Sequence, residues 1–235
     1  MAEILLFHSA LGPRPGIAVA AERLRAAGHV VHVPDIFPEP RVFDETGPAI
    51  EYINGIGFEA LAARAVASVQ ALPGDLVYAG FSLATGYAAT LAATRPGARA
   101  ALLLNGTPGP DGLGAASWPP GVPVQVHSMA GDPWRDNDAL ARMADFVRAS
   151  GSDCSVFDYP GTAHLFADPS LPEQYDPAAA DLMWKHVLGL LSDLDGAAPR
   201  RAPDRQSAPR AGGAPGNLPA TVRARGPRVG EVGRD

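Results

Sequence analysis

The sequence predicts an α/β protein with a mainly parallel central sheet flanked by helices. Three observations predict it. Between Met1 and Asp195, short β-branched or Leu-rich runs alternate with Ala-rich segments, the pattern of strands connected by covering helices. No segment repeats with a period of roughly 20 to 50 residues, which removes solenoids and propellers. Apolar residues make up 46% of the chain and charged residues 19%, enough to bury a core.

The elements follow in order. Ile4 to Phe7 is the first expected strand. A helix is expected over Gly16 to Ala27, where Ile17, Ala20, Ala21, Leu24 and Ala27 share one face and Gly28 can end the last turn. Val30 to Val33 is the second strand, and Gly57 to Leu72 the second helix. Leu76 to Ala79 is a strand that runs straight into a helix over Ala84 to Thr94. Three more strands are expected at Ala100 to Asn105, Val122 to His127 and Ser155 to Tyr159, with helices at Ala139 to Ser150 and Pro177 to Leu194. Two stretches rich in Pro and Gly, Ile36 to Gly55 and Gly106 to Gly121, are expected to be long loops that wall a pocket.

The chain has 235 residues, which against roughly 100 to 200 residues per domain fits one large domain and an appendage. From Gly196 onward apolar periodicity is lost, and 13 of 40 residues are Gly or Pro. The expected division is one α/β domain over residues 1–195 and a disordered Pro/Gly/Arg-rich tail over residues 196–235. The first part holds 11 Lys and Arg against 22 Asp and Glu, and the tail 8 against 3. Such an acidic body lacks the basic stripe that phosphate backbones demand, so nucleic acid is excluded as its partner. A basic tail could touch RNA or an acidic partner, but a solvated extension is the simpler account and no function is assigned to it. The lone Cys154 and an N-terminus without a basic or long apolar leader predict a cytoplasmic protein, and no apolar run approaches the ~18 residues of a membrane span.

The strongest local signal is Gly80-Phe81-Ser82-Leu83-Ala84 at the junction of strand and helix, a nucleophile elbow with alanine in place of one glycine. A sharp turn there needs small flanking residues. It lifts the serine hydroxyl above the sheet edge and aims the Leu83 N–H at an oxyanion. Serine is a weak nucleophile without a base, and on such a sheet the acid and then the histidine follow in later post-strand loops. Asp132 in Gly131-Asp132-Pro133 and His164 in Gly161-Thr162-Ala163-His164-Leu165-Phe166 occupy those places. Asp136 and Asp138 are rivals for the acid, as cap or turn residues of the next helix. Asp132 is preferred because it lies nearest its strand's end.

A second oxyanion donor is expected from the Ala10 N–H, in the loop after the first strand. His8 and Ser9 either line the site or are satisfied polar groups at a strand end. His29, His32, His127 and His186 read as structural. Neither metal-ligand spacing nor clustered carboxylates occur, so no metal or cofactor is expected.

Together with His32-Val33-Pro34-Asp35-Ile36-Phe37, these motifs resemble the dienelactone hydrolase family over nearly all of residues 3–194. The resemblance implies the α/β-hydrolase fold with a minimal lid, and hydrolysis of esters or lactones through an acyl-enzyme on Ser82, Asp132 and His164. It also implies two departures. Ser82 stands where the namesake enzymes use cysteine, and Ser9 stands where they carry a glutamate. No Arg or Lys occurs in Leu165 to Pro172, where they hold a substrate carboxylate, so the expected substrate is a small neutral ester or lactone. Ser9, Tyr52, Trp118, Trp134 and Phe166 are candidates for the pocket lining. Thioester hydrolysis, acyl transfer to another acceptor, or a non-catalytic binding role on the same fold are the alternatives. A monomer or homodimer is expected.

Overall fold

The computed structural model describes residues 1–196; the region of the expected tail from residue 197 onward lies outside the described residues. Six strands form one sheet: β1 (Glu3–Phe7), β2 (Val30–His32), β3 (Leu76–Phe81), β4 (Ala100–Leu104), β5 (Val124–Met129) and β6 (Cys154–Tyr159). Their order is β2-β1-β3-β4-β5-β6, and every neighbouring pair is parallel. Helices α1 (Pro15–Ala26), α2 (Thr46–Ile56), α3 (Phe58–Ala67), α4 (Thr85–Thr94), α5 (Asn137–Arg148) and α6 (Pro177–Gly196) connect and cover the strands.

Alternation along each strand splits the core into two layers, because successive side chains point to opposite faces. Ile4, Leu6, Val77, Ala79, Leu102 and Leu104 pack with Ile17 and Leu24 of α1 and Met183, Trp184 and Val187 of α6. Leu5, Phe7, Tyr78, Leu103 and Val126 face the other way, onto Ile53 of α2, Leu61 of α3, Tyr87 of α4 and Met143 of α5. Central strands covered on both faces must be apolar throughout, and all six residues of β3 are buried.

The strand order decides where a site can form. From β1 the chain moves outward to β2, then crosses back to β3 and proceeds the other way to β6. Loops leaving the C-terminal ends of β1 and β3 therefore diverge, and the crevice between them is the usual ligand site of open parallel sheets.

Most elements differ from the sequence expectation by a residue or two at an end, and three differences have a plain physical reason or are larger. Helix α2 lies in the stretch expected to be a loop; Pro48 sits in its first turn, where no intrahelical N–H bond is lost, and Ala49 and Ile53 supply one buried face. β5 starts two residues later, after Pro123, and runs on through Met129 because Ser128 and Met129 pair with Asp158 and Tyr159. α3 ends at Ala67, short of Leu72.

One buried polar cluster lies between β5, β6 and α6. The Tyr159 hydroxyl donates to His127 Nδ1 at 2.8 Å, and His127 Nε2–H donates to Gln125 Oε1 at 3.2 Å, which sets the neutral tautomer by its partners. Burial, with the nearby His186 adding to it, pushes the His127 pKa down to about 3. The unfolded imidazole takes up its proton near its ordinary value of about 6.5, so the unfolded state binds more protons between there and pH 3. The stability contribution is complete above about pH 6.5 and is lost as pH falls. By pH 4.5 the expected loss from this group is about 2 to 3 kcal/mol. Urea midpoints of the parent and His127→Gln at pH 7.5, 5.5 and 4.5 measure it; equal slopes with pH would refute the assignment.

Candidate active site

β3 delivers Ser82 into a backbone conformation that few non-glycine residues adopt, with φ of 53°. A short 3₁₀ turn, Ser82–Ala84, then feeds directly into α4. The turn is tight enough that a Cβ at Gly80 would lie 2.3 Å from the Ala84 carbonyl oxygen, which excludes every side chain there. Ala84 itself is fully buried, and the Thr85 hydroxyl donates to the Ser82 carbonyl at 2.7 Å. The small residues flanking the serine are a packing requirement of this turn.

The loops after β5 and β6 are tied together. Ala130 N–H donates to the Tyr159 carbonyl at 2.8 Å, and Gly131 N–H to the Gly161 carbonyl at 2.9 Å. Gly161 has φ of 122°, and a Cβ there would strike the Met129 sulfur. This coupling brings Asp132 beside His164. His164 Nδ1–H donates to Asp132 Oδ2 at 2.7 Å, which leaves Nε2 as acceptor for the Ser82 hydroxyl, also at 2.7 Å. The other carboxylate oxygen, Asp132 Oδ1, accepts the Trp134 N–H at 2.8 Å, and the Asp132 side chain is 1% exposed. Asp136 instead caps α5, accepting the Ala139 N–H at 2.9 Å, and Asp138 is an exposed residue of that helix's first turn.

Ser82 and His164 open onto a pocket of about 360 Å³, which Ala10 and Leu83 also line. The Ala10 N–H has no hydrogen-bond acceptor among the described residues. Both loops expected to wall the pocket contribute, the first through Thr46 and Ile50 on α2 and the second through Gly106 to Gly109.

Of the five candidate lining residues, the structure brings two to the pocket. Ser9 lines it, and so does Trp134, whose ring centroid is 5.9 Å from that of His164. Trp118 is fully buried in the core and donates from Nε1 to the Val122 carbonyl at 2.7 Å. Phe166 packs in the opposite core layer, 5.0 Å from the Tyr159 ring. Tyr52 sits against Phe37 and Phe43, under the Arg41 guanidinium, away from the pocket. Trp118 and Phe166 lie in irregular segments, which have no periodicity to say which way a side chain faces, and Tyr52 lies on α2, a helix the sequence expectation lacked; packing decided all three.

The pocket also holds residues that sequence reasoning missed. Arg142 reaches its wall from α5, 3.9 Å from Asp111. Asn105, just past β4, lines it as a buried residue with φ of 61°. A lone Asn ending a strand was the available signal for the second; nothing local marked the first.

His29 accepts the Ala2 N–H, His32 pairs with Glu3 at 2.7 Å, and His186 stacks on Phe157. Among the described residues no three His, Cys, Asp or Glu side chains cluster to hold a metal, and no helix is long and apolar enough to cross a membrane.

Comparison with known proteins gives a consistent answer. The sequence profile of the dienelactone hydrolase family matches residues 2–194. No functionally curated protein matches the sequence. Among solved structures, a dienelactone hydrolase-like promiscuous phosphotriesterase from metagenomic libraries is similar with a TM-score of 0.68 and 22% identity, over 83% of this chain and 87% of that one. Esterase 2 of the planctomycete Thermogutta terrifontis is similar with a TM-score of 0.61 and 15% identity, over 86% and 84%. At such identities the likeness concerns the fold.

Proposed function

The chain belongs to the dienelactone hydrolase family, with the α/β-hydrolase fold, and from that premise we propose that it is a serine hydrolase of small, neutral carboxylic esters or lactones. One observation carries the reading: Ser82 Oγ, His164 Nε2 and Asp132 Oδ2 form a continuous hydrogen-bonded chain with two links of 2.7 Å, ending at a pocket.

In this reading Ser82 Oγ attacks the substrate carbonyl carbon while His164 Nε2 takes its proton. The carbonyl oxygen becomes an oxyanion, held by the Ala10 and Leu83 N–H groups. Asp132, buried beside Nδ1, keeps the ring in the productive tautomer and stabilises the imidazolium. His164 then returns the proton to the leaving alkoxide, and the acyl group stays on Ser82. A water molecule, giving its proton to His164, attacks the acyl carbon; the carboxylic acid leaves and Ser82 recovers its hydrogen. No metal or cofactor takes part.

Pocket size and charge narrow the substrate. A cavity of about 360 Å³ is near the small end of ligand sites, which run from roughly 300 to 1,000 Å³. Its wall carries Asp111 and Asp136 against Arg142, a balance that disfavours anions. The test is initial-rate hydrolysis of p-nitrophenyl esters from acetyl to octanoyl, with the hemisuccinate beside the butyrate. Acetyl to butyryl esters are expected to exceed octanoyl in kcat/KM by on the order of tenfold, and the hemisuccinate to trail the butyrate. Inactivity on every ester and lactone would refute the function.

A further inference from the structure

We propose that His8, set between Asp35 and Phe37, is a positioning residue for the oxyanion hole: its ring fixes the Ser9–Ala10 peptide so that the Ala10 N–H faces the reacting carbonyl. The proposal rests on the hydrolase reading above.

His8 directly follows β1 and is almost fully buried, at 1% exposure. Its Nδ1 lies 2.8 Å from the Ser9 carbonyl oxygen. A carbonyl offers no hydrogen, so Nδ1 must carry one whatever the charge of the ring. At the other nitrogen, Nε2 lies 3.2 Å from Asp35 Oδ1 and 3.3 Å from the Ile36 N. A neutral ring accepts the Ile36 N–H there, and a protonated ring donates to Asp35. In both forms the hydrogen bond to Ser9 remains. Asp35 is itself fixed, because its Oδ1 accepts the Phe37 N–H at 2.9 Å. Burial pulls the Asp35 pKa up, but the hydrogen bonds from His8 and the Phe37 amide outweigh it and leave the carboxyl below its ordinary range. Edge-on contact with Phe37, at 5.0 Å between ring centroids, stops the imidazole from turning.

The consequence follows from the planar trans peptide, in which C=O and the next N–H point in opposite directions. The Ser9 oxygen is drawn to the buried ring, and to the Gly12 N–H at 3.1 Å. The N–H of Ala10 must then point away from them, and Ala10 lines the pocket beside Ser82. Hydrogen bonding at one end of a peptide also polarises the other, so a donor at the Ser9 oxygen strengthens the Ala10 N–H as a donor. Two carboxylate–imidazole pairs thus serve the site. Asp132–His164 acts on a hydroxyl, and Asp35–His8 on a peptide.

The test uses His8→Leu, His8→Asn and His8→Gln in the full chain, with thermal midpoints recorded. The Asn amide nitrogen falls where Nδ1 sits and can still donate to Ser9; the Gln amide falls nearer Nε2 and cannot. His8→Leu and His8→Gln are expected to lower kcat on p-nitrophenyl acetate by on the order of 10- to 100-fold with KM little changed. Binding of an aryl trifluoromethyl ketone, whose tetrahedral adduct places an oxyanion in the hole, should weaken by a similar factor. His8→Asn should recover most of both. The proposal is overturned if His8→Leu keeps its kcat, if kcat falls without the ketone weakening, or if His8→Asn loses as much as His8→Gln. Should His8→Leu not fold, the Asn and Gln pair decides alone. A parent that neither hydrolyses esters nor labels at Ser82 with a fluorophosphonate would overturn the hydrolase reading and this proposal together; an active parent with indifferent His8 variants would overturn only the second.

Discussion

Ser82→Ala and His164→Ala are each expected to lower kcat on short p-nitrophenyl esters by a factor on the order of a thousand or more. In the proposed mechanism, removing Oγ takes away the atom that bonds to the substrate carbon. Removing the imidazole leaves Oγ with no base at the 2.7 Å distance through which its proton would pass. Because the two side chains act as one unit, the double variant should lose little more than either single one. A fluorophosphonate should label the parent at Ser82 and leave Ser82→Ala unlabelled. Neither change opens a core cavity, so thermal midpoints should stay near the parent value. Variants that match the parent would overturn the assignment of the nucleophile and base, and a variant that loses activity through unfolding would show itself in the midpoint.

Trp118→Ala is expected to show the opposite profile, a large loss of stability with little change in catalysis. The indole is fully buried among Leu113, Val122 and Met143, and its Nε1–H satisfies the Val122 carbonyl. Truncation leaves a cavity and an unpaired buried acceptor, and large aromatic truncations of this kind cost about 3 to 5 kcal/mol. For a folded body of this size each kcal/mol moves the thermal midpoint by about 2 to 4 °C, so a fall of about 10 °C is expected. KM for p-nitrophenyl butyrate should change by less than about threefold. A raised KM with an unchanged midpoint would return Trp118 to the pocket and overturn its assignment to the core.

The two tryptophans illustrate where sequence reasoning stopped. Trp118 and Trp134 both lie in irregular segments after strands, and nothing local distinguishes them. One is sealed in the core and the other is 39% exposed beside His164. Helix α2 was hidden for a related reason: Pro48 reads as a breaker along the chain, yet in a first helical turn it breaks nothing. Arg142 shows the same limit at longer range, since it enters the pocket wall only because α5 packs beside the loop after β4.

What the sequence determined by itself was everything encoded at short range. Short β-branched or Leu-rich runs located all six strands, and Ala-rich segments with apolar residues at helical spacing located five of the six helices. Gly80 and Ala84 marked the one turn tight enough to hold Ser82 at φ of 53°. The order Ser82, Asp132, His164 was legible because each follows a strand. Tertiary structure decided which loops meet, and it did so through the reversal of strand order between β1 and β3. That reversal sets the Ala10 loop beside the Ser82 turn, while the linked glycine turns after β5 and β6 close the distance from Asp132 to His164. Side-chain direction in a loop has no period of its own. It is fixed by the face against which the loop packs, and so Trp118, Phe166 and His8 found their places only when the layers closed, as did Tyr52 and Arg142 through the packing of the helices α2 and α5 that carry them.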